Sequence, residues 1–312
     1  MNSRRVAAAV GLLIGLAAVV TLAWNELRLA RRFAALEAAS SSALYLVGDA
    51  GATAPLRDPD FGLVVPALRL ERRAETLQWR ESREGTGSNK NLRYEKVWSA
   101  TLILSRRFEE RSTHVNPESL PVEGFEAAAA DARLAGEPLD PALLRALPAI
   151  RELKPDDGGG VGLGRLQFKR EGDWLYSGDP RRPEVGDVRI RFAAAPAGQI
   201  SLLAARVDGR LVPYAARTGG SVALAAYGQV PPETLLADAA RADWRDAWAL
   251  RGFATLLVLL GTLFLMPELH AQLRESGRPQ GLRVMLLLGF GTAAMACAVS
   301  WVAARLLLAL GG

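Results

Sequence analysis

Cysteine is almost missing from this chain. Its single copy, Cys297, lies inside an uncharged run, so no intrachain disulfide can form and the large middle region must hold together by packing. Histidine is nearly as scarce. With His114 and His270 alone, a zinc site would need carboxylates at spacings that the sequence does not show, and no metal or cofactor is expected. G-x-S-x-G is absent, which removes the usual signature of an α/β-hydrolase nucleophile. The glycines of "DDGGGVGLG" at 156–164 match neither a dinucleotide fingerprint nor a phosphate loop, and read as a flexible connector. Lysine is rare too, and no Asp, Glu or Lys falls within the long apolar runs. Ion paths through membranes are usually marked by such groups, so a channel or transporter component is the second reading rather than the first. An ectodomain hydrolase is a third and weaker one.

Three apolar runs are present. They are "VAAAVGLLIGLAAVVTLAW" at 6–24, "GFATLLVLLGTLFLMP" at 252–267 and "VMLLLGFGTAAMACAVSWVAA" at 284–304. About 20 apolar residues cross a bilayer as a helix, and only helices satisfy the backbone there at that length. The first run is longer than the apolar stretch of a signal peptide. It is followed by Asn25, Glu26 and Arg28 where a small-residue cleavage site would stand, so it reads as an anchor that is kept. The second extends back to 247 if Arg251 reaches the headgroups. The expected layout is an anchor at 1–24, a large extracytoplasmic domain at 25–246, a second span at 247–267, a short cytoplasmic loop at 268–283, a third span at 284–305, and a stub of a fourth at 306–312.

The formal charge of +5 suggests a nucleic-acid binder until it is counted by region. Residues 25–250 hold 31 Lys/Arg and 31 Asp/Glu, a balance of zero. The surplus flanks the apolar runs, where arginine anchors helix ends. The partner it implies is the lipid bilayer, not a polyanion.

The middle region alternates between strand and turn signals. Residues 25–39 continue the first helix beyond the membrane. "ALYLV" begins a strand, and 77–99 form a two-stranded ribbon with Leu77 and Trp79 on one strand, Tyr94 and Trp98 on the other, and a polar tip between them. Residues 122–155 look helical in pieces, most clearly at "LDPALLRALPAI", where Asp140 caps and Pro141 takes the first helical position. The stretch 186–230 reads as a meander, and 231–250 as an amphipathic helix leading into the second span. His114 is expected to be a turn residue bonded to local backbone. Asp187, Arg189 and Arg191 alternate along one strand face, as a solvated face or as a docking edge for a partner or headgroup. The fold class is therefore α+β, a β-rich extramembrane domain between an N-terminal transmembrane helix and a C-terminal transmembrane hairpin.

"LRLERRAETLQWRE" (68–81), "YEKVWS" (94–99), "HVNP" (114–117), "LYSGDPRRPEVGDVRIRF" (175–192) and "WALRGF" (248–253) stand in one order along the chain. That order resembles the transmembrane protein 43 (LUMA) family. The resemblance implies a multi-pass endomembrane protein, not an enzyme, that organises or senses membrane protein complexes through one large luminal domain. It implies other membrane proteins or a second copy as partners, with no catalytic residues to carry over. The interaction candidates are Gln78, Trp79, Trp98, His114, Asn116, Pro117, Gly186, Asp187, Arg189 and Arg191. An Ala- and Arg-rich member is expected in a bacterial inner membrane with the large domain periplasmic; a eukaryotic one would sit in the endoplasmic reticulum or inner nuclear membrane.

Overall fold

The computed structural model describes residues 3–84, 91–153, 161–217, 219–275 and 302. Two long helices carry a β-rich body between them. Helix α1, Ser3–Ser42, continues well past its apolar first half, as the spacing of Leu27, Leu29, Phe33 and Leu36 requires. At 1.5 Å per residue its 40 residues reach about 60 Å, twice the hydrocarbon thickness of a bilayer. After the short helix α2, Pro141–Leu144, comes α3, Pro232–Glu275, in which the amphipathic segment and the second apolar run are one continuous helix. The third apolar run, the stub that follows it and the ribbon tip at 85–90 lie outside the described residues, apart from Val302.

The body contains two principal antiparallel sheets. In the smaller, Leu44–Gly51 and Gly198–Val207 pair along their length, flanked by Arg210–Val212, Leu224–Tyr227 and the short strands at Arg133–Leu134 and Glu137–Pro138. The larger has Arg69–Glu84 and Val188–Ala195 at its centre, Asn91–Ser99 beside the first, and Trp174–Tyr176, Leu166–Glu171 and Val161–Leu163 beyond the second. At one end of the larger sheet Leu68 donates to the Ala195 carbonyl and Ala129 donates to that of Leu68, and side chains from both sheets meet there. Leu68, Leu134, Leu139, Leu143, Leu144, Leu147, Ile200 and Leu202 close the core there.

Alternation explains the central strand. Val188, Ile190, Phe192 and Ala194 are buried while Arg189 and Arg191 point to the other face. Phe61 meets Phe168 and Phe192 edge-on, each at 5.6 Å, and closes a second core. Burial of each such ring contributes about 2 kcal/mol.

Two expectations change. The regular structure in residues 122–153 is chiefly short strands: Phe125–Ala128 pairs with the long central strand and Arg151–Leu153 with Val188–Ala195. Only the capped turn at Asp140 is helical, its carboxylate accepting from Ala142 N–H at 2.8 Å. The glycine-rich stretch ends in a strand, Val161–Leu163, rather than remaining a connector throughout. Hydrogen bonding to a neighbouring strand outweighs the helical preference of an alanine-rich segment.

Candidate functional site

The loop 100–121 holds little regular structure beyond one turn at Ser105–Arg107. Its backbone groups need partners elsewhere, and two buried amides from the motifs supply them. Gln78, fully buried on the long central strand, donates to Thr101 O at 3.0 Å and accepts from Ile103 N–H at 2.8 Å. Asn116 reaches the same strand from the loop. Its Oδ1 accepts from Trp79 N–H at 2.6 Å, and its Nδ2 donates to Trp79 O at 2.9 Å and Ile103 O at 3.0 Å. Ser105 Oγ accepts the Asn116 N–H at 3.1 Å.

His114 is a turn residue, its N–H bonded to Glu110 O, as expected. Its ring does more than that. It stacks on Tyr94 with centroids 3.7 Å apart and meets Trp79 edge-on at 4.7 Å. Tyr94 donates to Glu81 at 2.7 Å and accepts from Glu110 N–H at 3.0 Å. Burial, then the bond to the Glu81 carboxylate, pushes its phenol above the ordinary value.

The other motif residues approach from the opposite side. Gly186 N–H bonds Leu77 O at 2.9 Å, and Leu77 N–H bonds Asp187 O at 2.8 Å. Gly186 has φ +100°, where a side chain is strained, and its vacant side faces the Pro117 ring. The Asp187 carboxylate accepts from Glu184 N–H at 2.7 Å and leaves no room for a side chain at Gly178. Arg189 and Arg191 register against Glu75 and Arg73, and Trp98 against Leu77.

All ten candidates therefore gather around residues 73–79 of one strand. They do not form an edge. Val188–Ala195 is flanked on both sides by other strands, so the docking-edge reading of Arg189 and Arg191 is corrected. Arg189 is not a neighbour of solvent alone either. It bonds Glu75 at 2.7 Å and lies 4.4 Å from the Trp174 centroid and 4.7 Å from that of Trp98. Arg191, on the same face, lies 5.0 Å from the Trp174 centroid. Burial pushes the Glu75 carboxyl up, but bonds and charge from Arg189 and Arg73 together outweigh it and hold it below its ordinary value. Sequence reasoning missed Glu75, Tyr94 and Trp174 as partners. The one local signal was a carboxylate at Glu75 amid buried strand positions.

At the membrane end, α1 and α3 run side by side. Glu26 accepts two bonds from Arg251, at 2.6 and 2.7 Å, and Asn25 donates to Ala247 O at 3.3 Å. Arg251 is thus held by a carboxylate and faces Trp244 and Trp248 at 4.8 and 5.0 Å, instead of simply reaching for headgroups. Farther up, Arg32 bonds Asp243 and Phe33 meets Trp244 edge-on. Below, Gly11 and Gly261 let the backbones touch. Leu12, Leu13, Leu16, Val20, Leu256 and Leu263 lie exposed along the two helices. Among the described residues, no cluster of three or more His, Cys, Asp or Glu could hold a metal.

Apolar helices of spanning length, exposed along their apolar surface and carrying a packed antiparallel body, define an integral membrane protein. The chain belongs to the Transmembrane protein 43 family, whose model matches residues 75–311. It is 26% identical over 242 residues to Transmembrane protein 43 of Mus musculus and 27% to that of Homo sapiens, in each case across 70% of this chain. It spans 58% of the length of those mammalian relatives. The Transmembrane protein 43 homolog of Drosophila melanogaster is 26% identical over 340 residues, which is 95% of this chain and 88% of the relative. No solved structure matches the chain.

Proposed function

We propose that the chain is a non-enzymatic scaffold or sensor that organises membrane protein complexes through its β-rich domain. One observation carries this reading: the motif residues are spent on locking a loop to the sheet, not on presenting a reactive group. Gln78 and Asn116 fix loop 100–121 against Arg69–Glu84, and Val115, in the midst of that lock, is 61% exposed. A rigid loop tip with an apolar side chain is suited to protein recognition, because little ordering entropy remains to be lost on binding. Docking then uses this loop face rather than a strand edge. The helix pair, tied by Glu26–Arg251 and Arg32–Asp243, holds the face at a set height above the bilayer and couples it to the spans.

The proposed setting is a bacterial inner membrane, with the amino terminus inside and the large domain periplasmic. Reporter fusions before Ser3 and in loop 100–121 test the orientation. A photo-crosslinking residue at Val115 tests the scaffold. In native membranes it should give adducts of discrete mass, either with other membrane proteins or with a second copy. Recovery of monomer alone at every irradiation dose would remove the proposal.

A further inference from the structure

We propose that the concavity between α1 and the hairpin turn joining Tyr214–Ala215 to Ser221–Val222 seats the phosphate of an anionic phospholipid. Its volume is about 700 Å³. This inference does not depend on the scaffold reading.

One stripe of α1 forms the wall. Trp24, Arg28, Arg31 and Ala35 are spaced by four, three and four residues, so they lie above one another on a single helical face. Trp24 is 58% exposed, with the Arg28 guanidinium 5.6 Å from its ring. Exposed tryptophans mark the boundary between hydrocarbon and headgroups, and Trp248 stands exposed on the neighbouring helix. Helical rise puts Arg28 about 6 Å and Arg31 about 10 Å above Trp24. The headgroup layer is roughly 5–8 Å deep on each side of a bilayer, so Arg28 lies within it and Arg31 just above it, where a long side chain reaches down to the lipid phosphates.

The opposite wall adds a third cation. Arg32 bonds the Ser221 carbonyl at 2.9 Å and Asp243 at 3.0 Å, which pins the turn against α1. Within it Gly219 and Gly220 take φ of +81° and +105°, and the bond from Ala216 N–H to Gly220 O closes the hairpin. The turn thereby brings Arg217 to the cavity facing the arginines of α1. Arg32 is neutralised by Asp243. Among the described residues, Arg28, Arg31 and Arg217 have no carboxylate partner. Three guanidinium groups converging on one hollow match the oxygens of a phosphate monoanion or diester.

The surface below favours a lipid over a free anion. Val20, Leu16 and Leu13 stand about one, two and three turns beneath Trp24, and all three are at least 60% exposed. An acyl chain can lie along that strip while its phosphate occupies the hollow.

The test uses the full chain purified in detergent and exposed to mixed micelles of phosphatidylglycerol and phosphatidylcholine, with retained lipids counted by native mass spectrometry. The unaltered protein should retain phosphatidylglycerol preferentially. Arg31→Gln with Arg217→Gln should reduce that preference roughly thirtyfold. The Lys versions of both positions should keep most of it, which separates charge from folding, and Arg165→Gln on the distant sheet should change nothing. Equal retention of the two lipids, or an undiminished preference in the Gln variant, overturns the proposal. Displacement of phosphatidylglycerol by millimolar inorganic phosphate also overturns it and makes a free anion the ligand.

Discussion

Asn116 clasps the backbone of Trp79 at both its polar groups: its amide oxygen accepts the Trp79 N–H at 2.6 Å and its amide nitrogen donates to the Trp79 carbonyl at 2.9 Å. A side-chain amide suits this task because it carries an acceptor and two donors on neighbouring atoms in one plane. The second donor goes to Ile103 O at 3.0 Å, so the loop and the strand share one residue.

Asn116→Ala leaves three backbone groups without that amide. Unpaired buried polar groups cost about 1–3 kcal/mol each, and partial access of water brings the expected total to about 3 kcal/mol. For a domain of this size that lowers the thermal midpoint by about 8 °C, read from tryptophan emission. Asn116→Asp should be at least as damaging, because it sets a carboxylate against two carbonyl oxygens. Glu118→Ala, an exposed change two residues away, should leave the midpoint in place. Equal midpoints for all four proteins would show that the clasp holds nothing.

Glu75 gives a dependence on acid. Its folded pKa lies below the ordinary 4.5 because Arg189 and Arg73 together outweigh the effect of burial. A depressed carboxylate contributes stability that is fully present above the unfolded value and is lost as the pH falls through the folded one. Stability contributed by this group should hold down to about pH 5 and decline below about pH 4.5. Glu75→Gln should be less stable than the parent at pH 7, and the difference should shrink toward pH 3 in urea titrations. A difference that stays constant between pH 7 and pH 3 would rule the assignment out.

What could be read in the chain beforehand was whatever repeats locally. Val188, Ile190 and Phe192 alternate with Arg189 and Arg191, and the strand follows. The uncharged runs near Leu12 and Leu256 announce helices for the same reason. The alanine-rich stretch after Phe125 misleads, because helix preference is local whereas its pairing with Arg69–Arg72 is not. The candidate site was legible as a set of motifs but not as an arrangement. Arg189 and Glu75 are 114 residues apart, and the two sides of the His114–Tyr94 stack come from a loop and a strand. Only the registers of three strands bring them together, and no spacing within one segment encodes a register between two.

Gly11 and Gly261 should control the crossing of α1 and α3. A Cβ built on Gly261 would lie 2.7 Å from Gly11 O, and one on Gly11 would lie 2.5 Å from Gly261 O. Backbone cannot yield as a flexible side chain does, so Gly261→Leu must part the helices. Ala18 and Val258 pack together nearby and provide a reporter. In a Cys297→Ser background, Ala18→Cys and Val258→Cys should form a disulfide readily, and Gly261→Leu should slow it about tenfold. An unchanged rate would place the crossing elsewhere.

The Glu26–Arg251 pair should behave as a coupled unit. The two side chains are only 8% and 16% exposed, and their two bonds join helices 225 residues apart in sequence. Desolvating the ions is costly, so the pair adds little over a well-packed apolar contact, yet removing one partner leaves a costly charge behind. Glu26→Ala or Arg251→Ala should therefore lose about 3 kcal/mol of thermal stability each, measured as soluble protein surviving heat in detergent. The double alanine variant should lose clearly less than the sum of the two. Glu26→Arg combined with Arg251→Glu should recover part of the loss, with the rest set by the altered stacking on Trp244 and Trp248. Simple additivity across this cycle would mean that the two side chains lie close without acting on each other, and the helix pair would owe its alignment to the glycine crossing and the Phe33–Trp244 contact instead.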